Sequence, residues 1–474
     1  MVDDTSSLIV NPNVGNLITS LRDIGYTFEI AVADIIDNSI SAGAKQIQIL
    51  ALVQPKNIVC ILDDGNGMSD YQLIEAMRLA TQNPSIERSE VDLGRFGLGL
   101  KTASFSQCKK LTVASKKIGI LSIKQWDLDY ISEKNEWKLL TPSINDFEHI
   151  SLFKSLQDSE SGTIVIWEEL DRLQVPSFAN LIDSLGKHLS LVFHRFLELP
   201  GTKKLKISIN NFNLEPFNPF NIENAATQEI NEEKIKVYDE TITIQPFILP
   251  HHSKISQQEF ERYATDEGYT KSQGFYLYRS NRLLIYGTWW GLHKISDAHK
   301  LVRIKIDIPN TQDSYWGIDI KKSTAKPVAI IREDLKRIIL EVTERGSRPF
   351  TGRGKKIEDK TTKRFWDLQP DNGQIKFTLA FDHPIYQELI SLLTENSKEL
   401  LNIYLKCLQA YLPLDAIHAQ LNQNPHLIHQ EALIEEADAV RLAGILKNLD
   451  LDEDTLSILK KTELFKNRND LLES

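Results

Sequence analysis

DIIDNSISAGA, residues 34–44, is the most informative stretch of the chain. Apolar residues around it recur with helical spacing, which predicts a helix followed at once by a turn of small residues. Asp34 and Asn38 are four residues apart and therefore project from the same face of that helix. Polar side chains on an apolar helix are often caps or members of a satisfied hydrogen-bond network. For Asp34 alone, that structural interpretation is as good as a functional one.

Two glycine-containing stretches follow this helix. In LDDGNGMS, residues 62–69, an apolar strand ends in Asp63 and turns through Gly65 and Gly67, which can adopt positive φ and let the backbone approach a ligand closely. GRFGLGLKTAS, residues 94–104, is a glycine-rich loop that opens into a predicted helix. Such a loop can point backbone N–H groups at phosphates. It matches neither the Walker A pattern nor Gly-x-Gly-x-x-Gly. Each stretch alone is a common turn, but all three in this order predict a nucleotide site.

The pattern of apolar residues divides the 474-residue chain into four parts. Residues 1–195 alternate between helical and strand-like segments and predict a layered α+β domain. Residues 200–345 are rich in predicted strands. The segment 346–379 is polar and basic and predicts a linker or exposed loop. The remainder, residues 380–474, predicts a helical C-terminal region.

Composition limits the class of protein. The net charge of −10 argues against a uniformly basic nucleic-acid-binding protein, although a local basic patch is compatible with it. The three cysteines show neither metal-site nor disulfide spacing, which favours a reducing compartment. The N-terminus lacks the features of a signal peptide, and no apolar run is long enough to span a membrane. We therefore expect a cytoplasmic protein that does not associate with a membrane.

Taken together, the three stretches resemble the motifs of the GHKL ATPase superfamily, the Bergerat fold of DNA gyrase B, MutL, histidine kinases and a heat-shock chaperone. The resemblance is closest to MORC ATPases and their bacterial MORC-like relatives. A fourth stretch, SGTIVIW at residues 161–167, is similar to the strand that carries a conserved threonine. The resemblance implies a two-layer α/β sandwich ATPase domain over 1–195 and a ribosomal-S5-like transducer domain over 200–345.

The resemblance also implies a role for each matched residue, with ATP and Mg²⁺ as ligands. Asn38 would coordinate the Mg²⁺ ion, and Asp63 would accept a hydrogen bond from the adenine amino group beside Thr163. Gly65, Gly67 and Met68 would line the approach to adenine. The phosphates would be wrapped by the glycine-rich loop, whose matched residues are Gly94, Arg95, Phe96, Gly97, Leu98, Gly99, Leu100, Lys101 and Thr102.

One position departs from the family pattern. The superfamily has Glu where this chain has Asp34, and that Glu is the general base that orients the attacking water. Aspartate has the same carboxylate on a stem one methylene shorter, so it can still accept a proton. Small displacements of a catalytic group are costly in rate, and we therefore expect a slow ATPase.

In the related families, a lysine of the transducer domain reaches the γ-phosphate. WGIDIKKS, residues 316–323, is the best candidate, with Lys321 and Lys322 after a predicted alternating strand. Only one of the two would face the site, because neighbouring residues of a strand point to opposite faces. Two alternatives stay open: both lysines are solvated, or Asp319 and Lys321 form half of a restriction-nuclease site completed by Asp307 or Asp313.

The resemblance implies an ATP-gated, dimerising clamp, with defence against foreign DNA as the role of its bacterial relatives and a partner effector protein as a further possibility. A basic segment, residues 344–364, has eight Lys or Arg against three acids and is a candidate contact to double-stranded DNA. A histidine kinase is disfavoured, since His194 and His383 lie in ordinary contexts, and no topoisomerase cleavage domain is evident. The rival outside the enzymes is a nucleotide-sensing module with little turnover.

Overall fold

The computed structural model describes residues 13–52, 57–79, 98–173, 178–265, 267–351, 363–371, 374–423, 436–448, 451–462, 464–466 and 468–472. The chain forms two compact units. The first combines Met1–Pro250 with Arg262–Gly346, and the second combines His251–Glu261 with Ser347–Ser474. Across the described ranges, no helix combines the length and apolar character needed to span a lipid bilayer.

The first unit begins with a seven-stranded sheet of order β4-β3-β5-β2-β1-β6-β7. Its strands are antiparallel except for the parallel pair β1–β6. The strands are β1 (Gln46–Leu52), β2 (Ile58–Asp63), β3 (Lys110–Lys117), β4 (Ile120–Asp127), β5 (Gly162–Glu168), β6 (Lys206–Ile209) and β7 (Phe212–Asn213).

Among the described residues, eight helices accompany this sheet. They are α1 (Val14–Arg22), α2 (Phe28–Ser41), α3 (Asp70–Met77), α4 (Gly99–Phe105), α5 (Leu128–Lys134), α6 (Ser151–Asp158), α7 (Phe178–Val192) and α8 (His194–Glu198). The large core lies between one face of the sheet and helices that include α1, α2 and α7, and a smaller core lies between the other face and α6. Alternate residues of β2 enter the two cores, which is why all six are buried.

Local sequence signals account for where the site-bearing helices begin. The Thr27 hydroxyl caps α2, and Ser69 with Gln72 forms a capping box at the start of α3. The helix α2 is buried almost all round because it packs against both the sheet and neighbouring helices. Asp34 and Asp37 therefore lie in the interior of the unit.

A second sheet of six strands follows in the same unit. Its order is β12-β11-β13-β10-β8, with β9 also paired to β10, and β11–β13 is its parallel pair. The elements of this part of the chain are β8 (Gln228–Glu229), β9 (Glu233–Val237), β10 (Glu240–Ile248), α9 (Gln257–Ala264), β11 (Gly274–Arg279), β12 (Arg282–Thr288), β13 (Val302–Ile308) and α10 (Arg332–Thr351).

The described residues of the second unit are mainly helical and contain one hairpin of two antiparallel strands. Its elements are β14 (Trp366–Asp371), β15 (Gln374–Leu379), α11 (Pro384–Ser391), α12 (Glu395–Ala410), α13 (Leu414–Gln423), α14 (Glu436–Lys447) and α15 (Glu453–Leu459). A small core of this unit gathers around Ala443, Leu459 and Phe465.

The α+β fold class is confirmed, but two details differ from the sequence prediction. The strand β6 pairs with β1, so the first sheet continues beyond the predicted boundary between 195 and 200. The segment 346–379, predicted as a linker, contains the end of α10 and the β14–β15 hairpin. The pairing of β6 with β1 depends on a distant partner that local patterns do not encode, whereas β14 and β15 are neighbours in the chain. The likeness of the second sheet to an S5-like transducer stays a prediction.

Candidate nucleotide site

Two acidic side chains of α2 meet in the interior of the first unit. Asp34 and Asp37 lie one helical turn apart, and both are almost completely buried. One cation bridges them: the Nζ atom of Lys322 lies 3.0 Å from Asp34 Oδ1 and 2.6 Å from Asp37 Oδ2. Because Lys322 follows the second sheet in the chain, this buried ion pair links that part of the unit to α2.

The segment that carries Lys322 is a loop that contains turns. Residues 316–323 contain turns and no strand, so the predicted alternating strand is wrong. Lys322 has a φ of +55°. The Oδ1 atom of Asp319 accepts hydrogen bonds from the N–H groups of Ser323 and Thr324 at 2.7 and 2.9 Å. An aspartate that binds backbone N–H groups in this way shapes a loop without help from a neighbouring strand.

The two candidate lysines have different surroundings. Lys321 is half-buried, and its Nζ atom donates to the carbonyl oxygen of Gly25 at 3.3 Å. Lys322 is buried and pairs with the two carboxylates of α2. Of the two lysines, the structure therefore brings Lys322 to Asp34.

A second cation, which the sequence reasoning missed, reaches one of these two carboxylates, that of Asp37. Arg282 follows the two-residue turn Ser280–Asn281, in which both residues have positive φ. Such turns match the twist of a hairpin and favour Asn. The Nε atom of buried Arg282 lies 3.3 Å from Asp37 Oδ1. The turn could have been found from the sequence, but the helix that its tip contacts could not.

The other oxygen of Asp34 faces the start of α4. The hydroxyl of Tyr26 donates to Asp34 Oδ2 at 2.9 Å, and Thr102 Oγ1 lies 3.5 Å from the same hydroxyl. A Cβ atom on Gly99, the first residue of α4, would lie 3.7 Å from Asp34 Oδ2. The predicted acid and the described end of the predicted phosphate loop are therefore adjacent. The sequence reasoning assigned no role to Tyr26.

Burial and the ion pairs act in opposite directions on these groups. Burial raises the pKa of Asp34 in spite of Lys322, and the charge of Asp37 adds to the rise. Burial also acts to raise the pKa of Asp37, but Lys322 and Arg282 together hold it below its ordinary value. Burial acts to lower the pKa of Lys322, which the two carboxylates nevertheless hold above its ordinary value. Asp37 is thus the stably charged partner, and Asp34 is the carboxylate more ready to take up a proton.

Asp63, the predicted adenine-binding residue, ends β2 and is buried. Its two oxygens accept hydrogen bonds from Ser39 Oγ at 2.8 Å and from the Gly65 N–H at 2.9 Å. Thr163 lies directly opposite Asp63 on β5, and its hydroxyl lies 2.8 Å from Ser115 Oγ on β3. Asp63, Thr163 and Ser115 therefore form a row of polar groups across three adjacent strands.

The glycine turn after β2 packs too closely against its neighbours to carry side chains. Gly67 has a φ of +64°, and a Cβ atom there would collide with the carbonyl oxygen of Lys116. A Cβ atom on Gly65 would lie 2.9 Å from Asp63 Oδ1. Both glycines are therefore required by the packing of the turn itself, whatever ligand approaches it.

Two serines of this region were not predicted. Ser39 lies five residues after Asp34 in the same quoted stretch, so its polar character on an apolar helix was the available signal. Ser115 ends the buried stretch 111–115 of β3, and its hydroxyl accepts a hydrogen bond from the Met68 N–H at 2.8 Å. The sequence contains no comparable signal for Ser115, because its role depends on which strands are neighbours.

Only some of the remaining predicted site residues lie beside Asp34 and Asp63. Asn38 is exposed, and its Nδ2 atom donates to the Asp34 carbonyl oxygen at 3.0 Å. The Nζ atom of Lys101 is buried and donates to the Ala76 carbonyl oxygen at 2.9 Å. Leu98 caps α4 and Leu100 lies within it. Four predicted phosphate-binding residues lie outside the described residues: Gly94, Arg95, Phe96 and Gly97.

The geometry gives no support to the restriction-nuclease alternative. Asp319 holds the Lys322 loop, while Asp307 and Asp313 each pair with an arginine. In the part of the chain that the structure describes, no group of three or more His, Cys, Asp or Glu side chains could hold a metal ion.

Residues 26–163 match the family described as histidine kinase-, DNA gyrase B-, and HSP90-like ATPase. The matched segment runs from Tyr26 to Thr163 and includes Asp34, Asn38 and Asp63. Together with the α+β architecture, the match identifies this part of the chain as a domain of the GHKL ATPase superfamily.

The chain is also similar to MutL. It is 32% identical over 89 residues to the DNA mismatch repair protein MutL of Rickettsia akari (strain Hartford), which is 19% of this chain and 15% of that protein. The MutL of Rickettsia felis gives the same values. That of Rickettsia prowazekii (strain Madrid E) is 31% identical over 87 residues, 18% of this chain and 15% of that protein. The chain thus spans only 15% of the length of these relatives.

Proposed function

We propose that this chain binds ATP with Mg²⁺ and hydrolyses it slowly, and that ATP drives the closing of a homodimer on DNA. The GHKL ATPase class and the similarity to MutL support this proposal. In it, Asp63 and Thr163 bind the adenine edge, Asn38 holds the metal ion, and Asp34 is the general base. Lys322 senses the γ-phosphate, and the second sheet is an S5-like transducer.

The position of the Lys322 Nζ atom is the observation that carries the proposal. It lies between the carboxylates of Asp34 and Asp37, beside the first residue of α4. A single cation from the chain after the second sheet thus contacts the proposed general base of the ATPase domain. Such a contact makes the two parts of the unit respond together to a change at the site.

A bound γ-phosphate would compete with Asp34 for Lys322. Phosphate oxygens form strong, charge-assisted hydrogen bonds with a lysine. Release of Lys322 would leave Asp34 Oδ1 available to orient a water molecule and accept its proton. Asp37 keeps Arg282 as a partner and would therefore remain charged. Because ADP lacks the γ-phosphate, only ATP would draw Lys322 away.

The residues present fit a magnesium ion. The Asn38 amide nitrogen is used by the Asp34 carbonyl, which leaves the Oδ1 atom as the group that can face a ligand. Oxygen atoms are the ligands that Mg²⁺ prefers. When bound, the ion neutralises phosphate charge. Asn38 would be its protein ligand.

A nucleotide-sensing module with little turnover is the second candidate. It is favoured by the state of Asp34, because Lys322 binds one of its oxygens and Tyr26 binds the other. A base held in this way has a protein partner on each oxygen until Lys322 is released. The shorter stem of aspartate makes the reach to a water longer than that of glutamate.

The release of ADP under multiple turnover separates the two candidates. An ATPase forms many ADP molecules per chain in the presence of Mg²⁺, whereas a sensing module forms at most about one. Light scattering with and without a non-hydrolysable ATP analogue tests the closing of a dimer in either case. A molar mass that stays the same with the analogue would contradict the clamp.

The proposed contact to DNA rests on the basic segment 344–364 and on the similarity to MutL. Of the five basic residues that we propose to replace by serine, Lys363 pairs with Asp382. The others are Arg364 and, outside the described residues, Arg353, Lys355 and Lys356. Each neutralised phosphate contributes a slope of about −0.9 to the salt dependence of duplex binding. The five-serine variant should flatten that slope, and an unchanged slope would contradict the proposed contact to DNA. A role in bacterial defence is part of the proposal that only cellular assays can test.

A further inference from the structure

The hydroxyl of Tyr26 lies where three parts of the first unit meet. Tyr26 lies between α1 and α2 and is buried. Its Oη atom lies 2.9 Å from Asp34 Oδ2 on α2 and 3.5 Å from Thr102 Oγ1 on α4. The carbonyl oxygen of Ile320, in the loop that carries Lys322, also lies 3.5 Å away. One side chain therefore reaches the proposed general base, the helix after the glycine-rich loop and the loop of the proposed sensor.

Asp34 receives the proton of this hydroxyl. A tyrosine hydroxyl has one proton to donate. The distance of 2.9 Å to Asp34 Oδ2 is that of an ordinary hydrogen bond, whereas 3.5 Å to the Ile320 carbonyl oxygen is at the outer limit. A carboxylate is also the stronger acceptor of the two. Burial and the charge of Asp34 raise the pKa of Tyr26, so the hydroxyl keeps its proton and remains a donor.

Tyr26 is held in place from its backbone to its ring. The Nε2 atom of Gln107 donates to the Tyr26 carbonyl oxygen at 3.3 Å. The next residue, Thr27, caps α2, because its hydroxyl accepts a hydrogen bond from the Ile30 N–H. The ring of Tyr26 packs in the large core between the first sheet and its helices. A donor fixed in this way cannot follow a displaced carboxylate and instead holds the carboxylate in one place.

The orientation of an aspartate carboxylate is set by its hydrogen bonds. The torsion that turns the carboxylate about its stem is broad, so the partners of the two oxygens decide where each oxygen points. In Asp34, Tyr26 binds Oδ2, and Oδ1 faces Lys322 Nζ at 3.0 Å. When a γ-phosphate draws Lys322 away, as proposed above, Tyr26 still holds Oδ2 and leaves Oδ1 to face the water.

We propose that Tyr26 is a positioning residue of the ATPase reaction and selects Asp34 Oδ1 as the oxygen that takes the proton of the attacking water. The inference rests on the proposed function, to which it adds a residue that acts through Asp34. In the step that it serves, a water O–H bond breaks and the proton passes to Asp34 Oδ1. The water oxygen bonds to the γ-phosphorus as the bond from that phosphorus to the departing oxygen of ADP breaks. Tyr26 itself gives up no proton.

A double-mutant cycle, measured by denaturant unfolding of the nucleotide-free chain, tests the contact. Tyr26→Phe should lower the folding equilibrium constant by about ten- to a hundredfold, because it leaves a buried carboxylate oxygen without its donor. The loss should be at least about threefold smaller in an Asp34→Asn background, since a hydrogen bond to a neutral amide is weaker than one to a carboxylate. Fully additive losses would overturn the proposal.

Tyr71→Phe is the matched control for this cycle. It removes the same hydroxyl group from a side chain of α3 that is 74% exposed. It should change the folding equilibrium constant by less than about twofold, because an exposed hydroxyl exchanges one water contact for another. A loss as large as that of Tyr26→Phe would show that the effect at Tyr26 does not come from Asp34, and this would also overturn the proposal.

The rate of hydrolysis separates positioning from support of the fold. Tyr26→Phe should slow single-turnover hydrolysis by about ten- to a hundredfold and change the dissociation constant of ATP by less than about threefold. A residue that only supports the fold would leave the rate constant of the folded chain unchanged. 4-Aminophenylalanine at position 26 keeps an N–H donor at the same place on the ring and should restore most of the wild-type rate. A variant with this residue that is as slow as Tyr26→Phe would overturn the proposal.

The same assay distinguishes failure of the inference from failure of the proposed function. If the wild-type chain binds ATP but forms no ADP, the proposed hydrolysis is wrong and the positioning role is wrong with it. If the wild-type chain forms ADP and Tyr26→Phe forms it equally fast, the proposed hydrolysis stands and the role of Tyr26 alone is wrong.

Discussion

Replacing Lys322 by methionine removes one cation from two buried carboxylates and leaves the volume of the side chain nearly unchanged. At an effective dielectric constant of about 20, two unit charges about 4 Å apart interact with about 4 kcal/mol. Lys322 has two such partners, at 3.0 and 2.6 Å. The desolvation of the lysine cancels part of this gain. Removal of one member of a buried ion pair costs about 3–5 kcal/mol, and we expect Lys322→Met to lower the free energy of unfolding by that amount.

Lys321→Met is the matched control, because it changes the same residue type one position earlier. Lys321 donates only to a backbone carbonyl from a half-buried position, so its replacement should change the free energy of unfolding by less than about 1 kcal/mol. Denaturant unfolding of the nucleotide-free variants, followed by two independent probes, measures both effects. Equal stability losses in the two variants would refute the assignment of Lys322.

The same two variants test the proposed sensing of the γ-phosphate. Loss of a cation aimed at developing charge typically costs about 10²–10³-fold in rate. Single-turnover hydrolysis should fall by this factor in Lys322→Met and by less than about twofold in Lys321→Met. The double variant Lys322→Met with Asp34→Asn should regain part of the lost stability, because Asp37 then has Arg282 as a sufficient partner. Full additivity of the two stability losses would show that the buried ion pair is not the cause.

Three further outcomes are expected. Asp63→Ala should weaken ATP binding by about ten- to a hundredfold in calorimetry. Asp64→Ala is the control and should leave ATP binding unchanged, because Asp64 Oδ1 accepts hydrogen bonds from two backbone N–H groups at the start of β1. Asp34→Asn should retain ATP binding and slow turnover by about 10²–10⁴-fold. A variant with wild-type turnover would show that another residue is the general base. Burial lowers the pKa of Lys101 from 10.5 to about 8. Between these two pH values, the unfolded chain therefore binds more protons than the folded chain. The free energy of unfolding should rise as the pH increases from about 8 to 10.5. Lys101→Met should abolish this rise, which is worth at most about 3 kcal/mol, and a variant with the wild-type pH dependence would contradict the lowered pKa.

Much of the fold of the first unit follows from local patterns in the sequence. The alternation of apolar residues predicts β1 and β2, and the polar residue before α3 predicts its start because a serine side chain can satisfy a free backbone N–H. Such signals act over a few residues, so they survive any tertiary arrangement. The pairing of β6 with β1 involves residues about 160 positions apart, and an isolated strand carries no information about its partner.

The order of the motifs likewise determines the class of site. Asp34, Asp63 and the glycine-rich loop are recognisable because a nucleotide site needs acids and close backbone approach at set spacings. Their roles in this chain still depend on the experiments above. The sequence also offers two adjacent lysines as candidates for a γ-phosphate sensor.

Only the tertiary structure shows that Lys322, and not Lys321, reaches Asp34. The choice depends on the left-handed φ of Lys322 and on the loop that Asp319 holds, and the sequence had instead predicted a strand there. The same holds for Arg282, which lies 245 residues from Asp37 in the chain and reaches it because the β11–β12 hairpin tip lies against α2. Buried charges are tolerated only when opposite charges lie within hydrogen-bond distance. The sequence therefore indicates that Asp34 and Asp37, if buried, need partners of opposite charge. The path of the folded backbone determines which residues those partners are.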